Sequence, residues 1–123
     1  MQDYHRLEIW NRGMDYAVAV YRFTANLPAG EKYNLVSQLR RAVTSIPLNI
    51  AEGCGTATNT DFSRFLTYAY RSSKEVVTAV ELCQRLYPKL PKGRLESVID
   101  EGNQLSRMIY RLIRTLDLSD SKL

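Results

Sequence analysis

Histidine is almost missing from this chain of 123 residues; His5 is the only one. That scarcity excludes most catalytic designs for a small helical protein. Metal sites inside helical bundles draw on paired Glu-x-x-His motifs, and no such pair exists here. No histidine follows any arginine, so the helical ribonucleases built on that spacing have no counterpart either. His5 lies near the N-terminus with no carboxylate or thiol partner evident in the sequence, and reads as a surface residue. Cysteine is scarce as well. Cys54 and Cys83 form no CxxC or Cys/His pattern, so they read as free thiols of a reducing compartment. No Gly-rich loop precedes a Lys-Ser/Thr pair, which removes a P-loop. No apolar run approaches the roughly 18 residues of a membrane span, and the opening MQDYHRLEIW is too polar for a signal peptide. The expected setting is the cytoplasm, with no membrane partner, no metal and no cofactor.

Hydrophobic residues make up 45% of the chain and charged residues 24%, ordinary values for a globular domain. One domain spanning 1–123 is expected. Seventeen Lys and Arg oppose 13 Asp and Glu, a net charge of +4. A mild basic excess of this kind suits nucleic acid or another acidic partner, and it also occurs in proteins that have neither.

Breakers at Leu27-Pro28-Ala29-Gly30, at Gly53-Cys54-Gly55 through Asn59, and at Tyr87-Pro88-Lys89-Leu90-Pro91 divide the chain. Between them the apolar residues keep a helical period, which predicts helices at about 5–26, 31–52, 59–86 and 92–116. Short loops favour antiparallel neighbours, so the predicted fold is an all-α, up-down-up-down four-helix bundle. On the first helix Leu7, Trp10, Met14, Ala17, Val18, Tyr21 and Ala25 form one apolar face, read as the core face. Ile9, Tyr16, Val20 and Phe23 form a second, read as the oligomer interface, because a monomer needs only one such stripe. Thr44 and Leu48, on a lightly charged outer arc of the second helix, join that predicted interface.

The second helix is the most informative segment. Leu35, Leu39, Ala42, Val43, Ile46 and Ile50 form its apolar band at about 100° per residue. Gln38, Arg41, Ser45, Asn49 and Glu52 form a narrow polar seam beside it. Pro47 predicts a kink or break, with Ser45, Asn49 or another chain serving the carbonyl it leaves free. Gly53 or Gly55 is the expected stop. On the third helix, Asn59 or Thr60 is the expected N-cap, and Arg71 and Glu75 have the spacing of an ion pair. The tail from Asp117 reads as frayed.

Glu52 and Glu75 resemble an acid/base pair only superficially; they read as partners of arginines. Basic residues offer more. Arg40, Arg64, Arg71 and Lys74 lie on the second and third helices, and Arg107, Arg111 and Arg114 form a stripe on the fourth. Tyr68 and Tyr70 sit among the third helix's cations, where they would stack on bases. The competing reading is a solvated helix face with local ion pairs.

Several motifs carry a family resemblance. Glu31-x-Tyr33-x-Leu35 leads into Gln38-Leu39-Arg40-Arg41-Ala42, followed by Ser45-Ile46-Pro47-x-Asn49-Ile50-Ala51-Glu52-Gly53. Further on stand Phe62-x-x-Phe65-Leu66-x-x-Ala69 and Ser72-x-x-Glu75. Over nearly its whole length the chain resembles the four-helix bundle proteins encoded in intervening sequences of bacterial 23S rRNA genes. The resemblance implies a closed homo-oligomer, a pentameric ring, without established enzymatic activity. The family fold is similar to that of the accessory variability proteins of diversity-generating retroelements, basic pentamers that bind nucleic acid and a reverse transcriptase. By that analogy the expected partners are other copies of the chain and RNA, DNA or a ribonucleoprotein such as a reverse transcriptase. Two positions depart from the family pattern. Loop 54–59 carries no charge where basic residues are common, and Arg71 stands where a small residue is usual. The expected function is a non-catalytic, nucleic-acid-associated adaptor; the alternative is a structural or protein-interaction module.

Overall fold

The computed structural model describes residues 3–121, and these contain helices but no strand. Four long helices build a helical bundle: α1 (Glu8–Thr24), α2 (Leu35–Cys54), α3 (Asn59–Leu86) and α4 (Lys92–Ser121). Both α1 and α3 pack against α2 and α4, so the core lies enclosed by all four.

Local chemistry sets the boundaries. The chain enters through a 3-10 turn, Tyr4–Arg6, where the Asp3 carboxylate accepts from the backbone N–H of His5 at 3.1 Å. The start of the first helix is therefore later than residue 5. The start of α2 is delayed from the expected residue 31 to Leu35 by a second 3-10 turn, Ala29–Glu31, and the turn that follows it over 32–34. Its polar residues bond locally: the Asn34 amide donates to Glu31 Oε1 at 3.1 Å, competing with helical pairing. The Tyr87 hydroxyl donates to the other Glu31 oxygen and ties this turn to the end of α3. At the start of α3 the cap is Thr58, not Asn59 or Thr60; its hydroxyl accepts from the Asp61 N–H at 3.1 Å. At the far end of the chain, α4 continues to Ser121 rather than fraying at Asp117. Ser63 on α3 lies 3.4 Å from the Asp117 carboxylate and gives that extension a contact.

The second of α1's predicted apolar faces, not the first, supplies its buried core stripe, while Leu7, Trp10 and Ala17 of the first are partly buried against it. Ile9, Tyr16, Val20 and Phe23, expected at an oligomer interface, are buried within the protomer. Met14, Val18 and Tyr21, expected in the core, are exposed. The inward stripe runs Ile9, Gly13, Tyr16, Val20, Phe23 and Leu27, alternating steps of four and three residues as a bundle seam does. Gly13 hides this pattern in a hydropathy reading, yet it faces α2 at ordinary contact distance. A Cβ there would lie 3.4 Å from Ile46. Tyr16 is then fixed by chemistry as well as by burial: its hydroxyl donates to the Val98 carbonyl at 2.9 Å. Burial, with the Glu101 charge adding to it, raises the Tyr16 pKa and keeps the phenol protonated. Gly102 makes the room, since a Cβ there would overlap the Tyr16 hydroxyl and Val77.

Glycine has an unexpected use in α2 too. The helix passes Gly53 and ends at Cys54, with Gly55 as C-cap in right-handed geometry; no described glycine has a positive φ. Gly53 is needed for closeness, because a Cβ would come within 2.9 Å of the Phe62 ring and 3.0 Å of the Phe65 Cβ. Pro47 sits inside an unbroken helix. The Ser45 hydroxyl bonds the Ala42 carbonyl at 2.8 Å, and the Asn49 amide donates to the Ser45 carbonyl at 2.8 Å. Those groups reinforce the turns flanking Pro47 and do not serve the Val43 carbonyl it leaves free.

Candidate nucleic-acid interface

Helices α3 and α4 bring part of the predicted basic set together. A groove between them is lined by Tyr70, Lys74, Ser106, Arg107, Tyr110 and Arg111. Beneath it the Ser73 and Ser106 hydroxyls meet at 2.6 Å, and Ser106 reaches the Gly102 carbonyl at 2.8 Å. These buried hydroxyls join α3 to α4 and hold the groove's two walls in register. On the walls, the Tyr70 and Tyr110 ring centroids lie 5.9 Å apart with the planes inclined by 46°. The Lys74 ammonium stands 5.6 Å from the Tyr70 centroid, within cation–π range. Three cations and no carboxylate line this groove. Arg114 is exposed further along α4.

The remaining basic residues are dispersed. Arg71 and Lys74 also border a groove between α2 and α3, but Glu75 shares that lining and lowers its positive potential. The anticipated Arg71–Glu75 ion pair is not among those of the described residues. Arg64 instead lies 3.5 Å from Asp61 and 5.2 Å from the Phe65 centroid. Arg40 lies apart from this groove, on α2 beside α1. Its Nε donates to the Thr24 hydroxyl at 3.0 Å, and its guanidinium lies 4.5 Å from the Tyr21 centroid. Tyr68 packs edge-on against Phe65 at 5.8 Å and is not part of the groove. Tyr110 was not anticipated. Its signal was its place between Arg107 and Arg111 on the outward side of α4.

The polar seam of α2 resolves into two kinds of residue. Ser45 is half-buried and hydrogen-bonds the Ser72 hydroxyl across the α2–α3 contact; Asn49 is half-buried beside it. Gln38, Arg41 and Glu52 are exposed.

On the other side of α2 lies an apolar groove between α1 and α2. Met14, Ala17, Val18, Tyr21, Thr44, Pro47 and Leu48 line it with Arg22 as its one charged residue, and Val18 and Leu48 are 50% and 66% exposed. Leu48 is exposed and Thr44 half-buried along this groove. Their neighbours from α1 are Met14, Val18 and Tyr21, because Ile9, Tyr16, Val20 and Phe23 are consumed by the core.

Neither cysteine resembles an activated nucleophile. Burial pushes the Cys83 thiol up to about 11, with Glu31 adding to the shift. Cys54 is raised by burial and then by the Asp3 carboxylate. Both thiols therefore stay protonated and unreactive at neutral pH. His5 does have a carboxylate partner, contrary to expectation: its Nδ1 lies 2.7 Å from Asp3 Oδ1. It is also stacked on Tyr4 and edge-on to Trp10, which makes it part of an exposed N-terminal cluster. Among the described residues no group of three potential metal ligands occurs, and no helix is long and apolar enough to cross a membrane.

Comparison with known proteins places this geometry in context. The fold is similar to the crystal structure of a protein of unknown function from the S23 ribosomal protein family of Bacteroides thetaiotaomicron VPI-5482. The two share 22% identity with a TM-score of 0.75, over 85% of this chain and 97% of that one. No curated protein sequence matches the chain. Neither the neighbour's description nor that of the matching family points to catalysis. The profile of the 23S rRNA-intervening sequence proteins matches residues 5–111, and the chain belongs to that family.

Proposed function

We propose that the protein is a non-catalytic, nucleic-acid-associated adaptor of the cytoplasm that acts as a homo-oligomeric ring. The observation that carries this reading is the groove between α3 and α4, where Lys74, Arg107 and Arg111 surround two tyrosines with no acidic residue in the lining. Such a surface attracts phosphates and releases their counterions. Arg114 extends it, and repetition around a ring multiplies weak contacts through effective concentration. Arg40 and Arg64, engaged elsewhere, have no part in it.

Self-association is supported by the open apolar groove between α1 and α2, whose natural occupant is another copy of the chain; five copies follow from the family resemblance. The contacts between helices favour an antiparallel up-down-up-down order within each protomer. Arg12 meets Gln104 while Tyr16 meets Val98, and Ser45 meets Ser72 while Gly53 faces Phe62. In each pair of helices a later residue on one meets an earlier residue on the other.

Binding of labelled structured RNA, followed by anisotropy across a salt series, tests the adaptor reading. Affinity should fall steeply with salt. Combined Arg107→Glu, Arg111→Glu and Arg114→Glu should weaken it by about a hundred-fold or more, with the mass of the assembly unchanged by light scattering. No binding at low salt would defeat this reading and leave the protein-interaction module.

A further inference from the structure

Duplex nucleic acid offers a protein its phosphates and base edges, because the base faces are stacked on each other. An A-form duplex also closes its major groove to side chains. A surface that recognises only duplex backbone gains nothing from aromatic rings set between its cations. The groove between α3 and α4 has two such rings.

They are not equivalent. Tyr70 is half-buried against the core and lies beside the Lys74 ammonium. Tyr110 is 49% exposed and stands on α4 between Arg107 and Arg111. With the planes inclined by 46° the rings form no parallel slot, so an entering base stacks on one ring, the accessible Tyr110. Arg107 and Arg111 are spaced by one turn, about 6 Å along the axis, and Lys74 faces them from α3. Three like charges crowd a small concave surface without a carboxylate to offset them, and an anion relieves that repulsion. The groove between α2 and α3 lacks both features, having Glu75 in its lining and no aromatic ring.

Building on the proposed nucleic-acid role, we infer that the α3–α4 groove selects single-stranded over double-stranded nucleic acid. An unpaired base stacks on Tyr110 while Lys74, Arg107 and Arg111 hold the flanking phosphates. Stacking of this kind tolerates any base, so the selectivity is for strandedness and not for sequence.

The test compares an unstructured, labelled RNA of about twelve nucleotides with the same strand annealed to its complement, using the intact assembly. The single strand should bind about ten-fold tighter, the scale of one base–aromatic stack. Tyr110→Ala should remove that advantage and leave duplex binding unchanged. Tyr110→Phe should retain it, since the ring and not the hydroxyl is responsible. Equal affinity for the two forms, or a preference that survives Tyr110→Ala, overturns the inference while the broader nucleic-acid role stands. Failure of both probes to bind at low salt overturns the two together.

Discussion

The α1–α2 groove and the α3–α4 groove are both shallow clefts between neighbouring helices, yet they differ in the solvent each must displace. The first is mostly apolar: Met14, Val18, Tyr21 and Leu48 face outward, Arg22 is the one cation in its lining, and the nearby Arg40 guanidinium is held against Tyr21. In the proposed assembly its association free energy would come mainly from removing water from carbon and would weaken little as salt screens charge. The second places cations around aromatic rings, so the proposed nucleic-acid association would depend on counterion release and fade as salt rises. One protomer thus holds two surfaces that a salt titration separates. Assembly should persist through concentrations that abolish nucleic-acid binding.

Charge placed on the apolar side should have the largest effect. Val18→Asp combined with Leu48→Asp should convert the assembly to monomers by light scattering. Each apolar side chain withdrawn from an interface forfeits about 1.5–3 kcal/mol, and each new carboxylate resists burial. Both positions are at least half exposed in the protomer, so the helical content and melting temperature of the monomer should stay close to those of the parent chain. Nucleic-acid affinity should fall by about a hundred-fold through lost multivalency alone, although every residue of the basic groove is intact. An unchanged mass would remove the apolar groove from the assembly.

How much of this was legible in the chain depended on whether a residue's role was local. The breakers marked the helices because Pro and Gly act on their own backbone. The register of α3 followed because its apolar band, from Phe62 through Leu66, Ala69, Val76 and Val80 to Cys83, has no rival on that helix. By contrast α1 has two apolar stripes, and hydropathy does not rank them. The deciding features lie elsewhere in the sequence: the Val98 carbonyl that accepts from Tyr16, and Gly102, which leaves space for its ring. Of the two glycines offered as the stop of α2, Gly55 is the C-cap and Gly53 serves packing instead. A glycine near a helix end suggests a stop, whereas this one admits Phe62 and Phe65 from the next helix. Of the candidate site, the α3 and α4 cations were evident from spacing. That Lys74 shares a groove with Arg107 while Arg40 does not is a matter of tertiary placement.

A smaller effect tests the packing that holds the basic groove's floor. Gly102→Ala should destabilise the protein by about 2 kcal/mol or more in urea unfolding. The methyl would overlap the Tyr16 hydroxyl and Val77, an overpacking cost of about 1–3 kcal/mol. Displacing Tyr16 also breaks its bond to Val98, leaving a buried polar group unpaired at a similar cost. The better helix propensity of alanine returns only about 1 kcal/mol. In a double-mutant cycle, Tyr16→Phe should mask part of the penalty, because removing the hydroxyl removes the nearest obstacle. Strict additivity of the two changes would show that the clash is not between these groups.

The smallest expected effect makes the sharpest contrast, because it places the same substitution in the α1–α2 contact. Gly13 is buried like Gly102, but a Cβ at this position meets Ile46 at 3.4 Å and Pro47 at 3.7 Å. Those are ordinary van der Waals separations, and the side chains there need hardly move. The gain in helix propensity, at most about 1 kcal/mol, is then opposed only by slight crowding. Gly13→Ala should leave stability within about 0.5 kcal/mol of the parent or raise it modestly. It should also leave the outward Met14–Val18–Tyr21 face and the assembly undisturbed. If instead Gly13→Ala costs as much as Gly102→Ala, the α1–α2 contact is as intolerant as the α1–α4 contact. The apolar groove above it would then rest on a seam as tightly packed as the one beneath the basic groove, and the two sides of the bundle would differ in surface chemistry alone.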